Sequence, residues 1–242
     1  MSEGGSESFA GSDAYTDWKS WNEGFGAIAK GDLDYFTREL RGIARHRPPQ
    51  DVLEIGFGNG AFLAYCRSQG WPVIGTELSA AQVRSGREAD FDVYLSDETS
   101  AFGDRSFDLI AAFDVLEHIP PADSVNFLAD LAGRLRPGGH LFLRYPNADT
   151  WLGNPHQNGD PTHVNAIGYH KMSFLAHGAG LRIVEYRAPV RRGFSTSMIH
   201  GIHSMTAGPL ISVLAGIQKG LYFPGLPYVL SSPNVVCVLT RS

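Results

Sequence analysis

Gly56-Phe57-Gly58-Asn59-Gly60 places three glycines in five residues, between the apolar run DVLEI and a helix pattern that opens on Ala61. Glycines so spaced permit positive φ and let a ligand approach the backbone closely. The first amides of the following helix have no partner within it. The run also satisfies the G-x-G-x-x-G/A pattern of dinucleotide binders, so the loop alone leaves a dinucleotide and a nucleoside cofactor both open. Two carboxylates frame it. Glu54 stands two residues before Gly56, and Glu77 stands 21 residues after it, where the next apolar run ends. An acid at the second position can hold a ribose diol in either cofactor. Glu54 separates the two, because a pyrophosphate at this helix start needs positive potential. A sulfonium and an ammonium are instead drawn to a carboxylate. The expectation is S-adenosylmethionine with Glu54 near its methionine end; the plainer role for Glu54 is to tie down loop amides.

Transfer of a methyl group from a sulfonium is a displacement at carbon. It needs alignment, exclusion of water and, for a hydroxyl acceptor, removal of a proton. Histidine titrates near neutrality and suits that task. His118 in DVLEHI and His163 in GDPTHVN are the candidates, each with a purely hydrogen-bonding role as its alternative. His156, His163, His170 and His177 recur every seven residues, but Pro155, Gly159, Pro161 and Gly168 interrupt the segment. One helix cannot align those rings, and no metal site is expected.

These groups need a scaffold, and the chain alternates short strand and helix signals. A helix over Asp32 to Arg45 is ended by Pro48 and Pro49. Strands are expected at Asp51 to Ile55, Pro72 to Gly75, Phe91 to Leu95, Phe107 to Phe113, His140 to Tyr145, Leu181 to Ala188 and Asn234 to Thr240. Helices are expected over Ala61 to Gln69, from the N-cap Ser79 to Glu88, on the apolar face of Val125, Leu128, Ala132 and Leu135, and over Lys171 to Ala179. RPGG separates the third of these from its strand. The order predicts an α/β fold, a doubly wound, mostly parallel seven-stranded sheet. Such sheets bind ligands beyond the carboxyl ends of their strands, where strand order reverses.

Four segments carry a family resemblance: LEIGFGNG, GTELS, SDETSAFGDRSFDLIAAFDVLEHI and LRPGGHLFLRYPN. In order and spacing they resemble the motifs of class I S-adenosylmethionine-dependent methyltransferases over Asp51 to Arg187. DVLEHI and GDPTHVN look most like the subgroup with ubiquinone-pathway and glycan O-methyltransferases. The resemblance implies that Gly56, Gly58 and Gly60 surround the methionine and ribose, that Glu77 holds the ribose hydroxyls, and that Asp97 accepts from the adenine amine. Asp114 would border the methionine or the acceptor, with a turn cap as its alternative. Phe57, Leu78 and Phe113 flank these positions and complete the expected cofactor contacts. The implied reaction is O-methylation of a small-molecule or glycan hydroxyl, with a lipid-linked acceptor included. A nicotinamide-dependent oxidoreductase and an inactive nucleoside-binding protein are the competing readings.

The bulk composition agrees with one globular domain: 43% hydrophobic and 19% charged residues in 242. A net charge of -5 without a basic stripe argues against a nucleic-acid partner. Cys66 and Cys237 stand in separate apolar strings, which fits a reducing, cytoplasmic setting. Residues 1–13 read as a loose tail and 14–47 as a helical cap, with the catalytic domain over 48–242. Tyr15, Trp18, Trp21 and Phe25 fall near one helical face. Residues 193–218 hold no Asp, Glu, Lys or Arg. The insertion at about 193–231 is expected to be a cap over the acceptor, a homodimer surface or a shallow membrane contact rather than a span.

Overall fold

The computed structural model describes residues 17–19, 24–45, 48–98 and 103–242. Seven strands form one sheet: β1 Val52–Ile55, β2 Val73–Glu77, β3 Asp92–Leu95, β4 Phe107–Phe113, β5 Leu135–Pro146, β6 Leu181–Arg187 and β7 Asn234–Arg241. Their order is β3-β2-β1-β4-β5-β7-β6. Pairing is parallel from β3 through β5, and β7 runs antiparallel to both β5 and β6. The order reverses between β1 and β4, so the crevice for a ligand opens above those two strands.

Alternation along the central strands builds two apolar layers. Leu53, Ile110, Leu141, Leu143 and Cys237 pack on one face beneath Leu128 of α5 (Ser124–Gly133) and Leu175 of α7 (Tyr169–Gly178). Val52, Leu109, Ala111, Phe142 and Val238 face the other way, onto Phe62 of α3 (Ala61–Ser68) and Phe36 of α1 (Lys30–Glu39). Cys66 and Cys237 sit in different layers, both buried and unbridged, and burial pushes both thiols up.

The larger departures from the predicted boundaries fall at two places. The first helix divides at Leu40 (φ -91°, ψ 2°) into α1 and the single turn α2 (Arg41–Ala44). Arg136-Pro137-Gly138-Gly139 does not precede β5 but lies inside it: Leu135 pairs with Phe107, the register shifts, and pairing resumes at His140 with Leu109. Gly138, with a φ of 79°, lies within this irregularity and gives the chain the sharp turn it makes there. Ser79 caps α4 (Ala80–Glu88) as expected, accepting from the Gln82 amide at 3.4 Å. Of the predicted aromatic face, Tyr15 and Trp21 lie outside the described residues.

Candidate active site

The glycine loop leaves β1 at its carboxyl end. Gly56, Gly58 and Gly60 all have positive φ, 68°, 53° and 74°. The turn therefore depends on glycine at each place. It leads straight into α3, which has Gly60 as its N-cap without a side-chain cap. Glu77, at the end of β2, holds the loop from beneath. Its Oε2 accepts the Gly58 amide at 2.9 Å, and its Oε1 accepts those of Leu78 and Ser79 at 2.6 and 3.4 Å. The amide-tying role considered for Glu54 is thus shared: Glu77 takes the amides of Gly58, Leu78 and Ser79, and Glu54 takes that of Leu63 at the start of α3. Glu54 is buried, and its Oε2 meets no hydrogen-bond partner. Burial, then the charge of Glu77, pushes its carboxyl well above the usual range. A buried carboxylate with one oxygen unsatisfied, beside a loop whose glycine amides are already taken, fits a cationic ligand group such as the methionine ammonium of S-adenosylmethionine. It opposes a pyrophosphate.

The loop is covered from above. Gly26 donates to the Asn59 carbonyl at 2.8 Å, and a Cβ on Gly60 would stand 2.7 Å from the ring of Phe25. Phe25 meets Phe57 edge-on at 5.9 Å.

One cleft of about 1630 Å³ runs over these strand ends, larger than a single small-ligand pocket. Glu54, Gly56, Phe57, Gly58, Glu77, Leu78, Phe113, Asp114, His118 and His163 all line it. Gly60 lies under Phe25 and outside the lining. Asp97 is exposed and also outside it, whereas its neighbour Ser96 is in the wall. Residues 99–102 of that loop are not described.

The far half of the cleft is built by a stitched pair of segments. The 3-10 turn Leu116–His118 follows β4, and the amides of Val164 and Asn165 both donate to its Glu117 carbonyl at 3.0 Å. Asn165 Nδ2 donates to the Ile119 carbonyl at 3.0 Å. This brings His118 and His163 into edge-to-face contact, with ring centres 4.6 Å apart. His118 Nδ1 lies 2.9 Å from Thr162 Oγ1, and that hydroxyl donates to Asp160 Oδ1 at 2.5 Å. A hydroxyl has one proton to give. Thr162 gives it to Asp160, so His118 Nδ1–H donates to Thr162 and the lone pair of His118 resides on Nε2. Burial first, and then His163, pulls the imidazole below its ordinary value.

These features agree with the comparisons to known proteins. The Methyltransferase domain family matches residues 29–186. The chain belongs to the class I S-adenosylmethionine-dependent methyltransferases. A methyltransferase of Mycobacterium tuberculosis named "Probable fatty acid methyltransferase" is 30% identical over 117 residues, 44% of this chain and 27% of that protein. A ubiquinone biosynthesis O-methyltransferase of Aromatoleum aromaticum is 32% identical over 120 residues, 46% of this chain and 48% of that protein. The matched portions thus span about half or less of these curated relatives. A SAM-dependent methyltransferase of Archaeoglobus fulgidus shares the fold, with a TM-score of 0.64, 17% identity and coverage of 95% of this chain and 100% of that one.

Three groups of the methyltransferase cleft went unseen in its sequence. Arg144 of β5 pairs with Asp114 through both guanidinium nitrogens Nε and Nη2, and its Nη1 donates to the Tyr35 hydroxyl at 3.2 Å. Burial disfavours that charge, but Asp114 and Tyr35 outweigh it and hold Arg144 ionised. Asp114 itself adopts a φ of 56°, an uncommon conformation outside glycine. Lys19 reaches over the cleft to Asp160 Oδ2 at 2.8 Å. Glu117 is buried, neither carboxylate oxygen makes a hydrogen bond, and His163 Nε2 stands 3.9 Å from its Oε1. Among the described residues, Glu117, His118 and His163 offer ligand atoms within 4.8 Å of one another, a spacing a divalent cation could use.

Burial, followed by the charge of Asp114, pushes the Glu117 carboxyl well above its usual range. A raised folded-state value means stability is full below the unfolded value of about 4.3 and falls as pH rises from there. Glu117→Gln keeps the shape without ionising. It is expected to gain roughly 1–3 kcal/mol in urea unfolding at neutral pH, a gain absent below about pH 4. A cation held by the cluster would reverse the sign.

Proposed function

We propose that this protein transfers a methyl group from S-adenosylmethionine to a hydroxyl oxygen of a small-molecule or glycan acceptor, with His118 as general base. The observation that carries the reading is the Asp160–Thr162–His118 chain, which sets the tautomer with its lone pair on Nε2. Bound S-adenosylmethionine supplies an electrophilic methyl on a sulfonium leaving group. Glu54 would hold its methionine end against the close backbone of the glycine loop, while Glu77 and Leu78 would border the ribose. His118 Nε2 takes the proton of the acceptor hydroxyl, whose oxygen would bond to the methyl carbon while the donor, when bound, would depart with the carbon–sulfur electrons as S-adenosylhomocysteine. Asp160, acting through Thr162, offsets the positive imidazolium. Phe25, Tyr35 and the loop over 160–165 exclude water from above.

The names of the relatives, an O-methyltransferase and a fatty acid methyltransferase, support an oxygen acceptor and an amphiphilic one. S-adenosylhomocysteine is expected to bind at micromolar concentration and NAD not to bind, as read by calorimetry. Radiolabelled S-adenosylmethionine offered with a panel of hydroxylated, amine and thiol acceptors then tests the oxygen assignment. Label appearing only in amine or thiol products would overturn it.

A further inference from the structure

Between β6 and β7 the chain forms a helical hairpin, α8 (Met198–Met205) and α9 (Ala207–Tyr222), joined at Thr206. Its large side chains turn away from the domain. Ile202 and Met205 on α8 and Leu210, Leu214, Ile217 and Leu221 on α9 are each more than half exposed. Those on α9 stand at i, i+4, i+7 and i+11, one stripe along the helix. The 25 residues Met198–Tyr222 are apolar enough to enter a bilayer, and 11% of their most apolar window is buried. An apolar surface this long on a folded domain marks a docking face.

Charge decides what covers it. From Tyr186 to Ser242 the chain has five cations, Arg187, Arg191, Arg192, Lys219 and Arg241, and no Asp or Glu; Arg187 pairs with Glu39 and Glu185 and Arg192 with Asp32, which leaves Arg191 and Lys219 as the charges along the hairpin. Arg191 lies along α9, its Nη2 donating to Ser212 Oγ at 2.8 Å, and Lys219 sits in the last turn. A second copy would bring the same cations against this face. An anionic lipid surface takes both the apolar stripe and its basic border. Tyr222, Phe223 and Tyr228 close the hairpin with aromatic rings of the kind that settle at headgroup level.

We infer that α8 and α9 lie in the plane of an anionic bilayer surface and dock the domain on it. The hairpin does not cross, because β6 and β7 pair in one sheet and return both of its ends to the same body. Its root is at the cleft. Arg192 lines the cleft and pairs with Asp32 at 2.6 Å, and Gly31 lets α1 approach Thr196, where a Cβ would come within 2.8 Å of the Thr196 backbone. A docked hairpin therefore sets the mouth of the cleft at the headgroups. That an amphiphilic acceptor enters there rests on the function proposed above; the docking itself does not.

The test is flotation of the full chain with phosphatidylcholine vesicles, with and without phosphatidylglycerol, alongside light scattering for oligomeric state. The parent is expected to float with the anionic vesicles and to scatter as a monomer without lipid. Leu214→Asp with Ile217→Asp is expected to weaken vesicle binding at least about tenfold, with S-adenosylhomocysteine affinity and thermal unfolding unchanged. Arg191→Gln with Lys219→Gln keeps the apolar stripe and is expected to lose the preference for anionic vesicles. A parent that stays in the aqueous fraction, or that dimerises through the hairpin so that only the aspartate variant is monomeric, overturns the inference. Because flotation does not read turnover, these outcomes are separate from any failure of the methyl-transfer reading.

Discussion

His118→Ala is expected to lower turnover roughly 100-fold or more while cofactor affinity stays nearly constant, the scale of losing a positioned base. The imidazole lies in the cleft, and its contacts with Thr162 and His163 are to the segment over 160–165 rather than to the glycine loop. Because burial and His163 depress its protonation, the parent's rate should rise with pH through a range below the ordinary value of about 6.5. The alanine variant should lack that rise. Thr162→Val removes the acceptor for Nδ1–H and should both reduce turnover and move the inflection, whereas Thr162→Ser should restore both. His163→Ala is the control. If it alone abolishes turnover, His163 is the base and His118 is its support. If neither histidine matters, the acceptor needs no base, as for an ionised or nitrogen nucleophile.

Glu77→Ala should weaken S-adenosylhomocysteine binding by about 1.5–3 kcal/mol, the worth of a charge-assisted hydrogen bond. A strand-end carboxylate facing a ligand would leave the fold untouched, but this one accepts the amides of Gly58, Leu78 and Ser79. Its loss strands those donors, so the unfolding midpoint in urea should fall as well. Glu77→Gln separates the two effects: its one carbonyl oxygen can keep part of the amide net without the charge. It should recover more stability than affinity. Calorimetry showing parent-like affinity in the alanine variant would remove Glu77 from the ribose.

The half of the cleft proposed to take the cofactor could be read from the chain because its parts are local. Gly56, Gly58, Gly60, Glu54 and Glu77 come from one strand–turn–helix and the strand after it, so spacing alone brings them together. The half proposed to take the acceptor is assembled over distance. Tyr35, Asp114 and Arg144 come from α1, β4 and β5, and only strand order makes them neighbours. Asp160 and Thr162 acquire meaning only once the segment carrying them is laced to the turn after β4. Nothing in DVLEHI marks Glu117 as buried, yet the turn after β4 buries it. The RPGG run reads as a break because its residues disfavour regular structure, and periodicity carries no sign that β4 and β5 stay paired across a bulge. The uncharged run at 193–218 was visible as such; what it presents to the outside depended on how little of the domain turns toward it.

The interleaving of β7 between β5 and β6 sets the order in which this molecule can assemble. β6 borders β7 alone, so its edge has no backbone partner until residues 234–241 have been inserted. That insertion also completes the outer edge of β5. Folding of this side is therefore governed by a long-range closure across the whole hairpin, a high-contact-order step that slows the search. Until it occurs, two unpaired strand edges and an apolar helix pair are open together, the combination that favours aggregation. Refolding should accordingly show the glycine-loop half protected from hydrogen exchange first, with β6 and β7 acquiring protection in a single later phase.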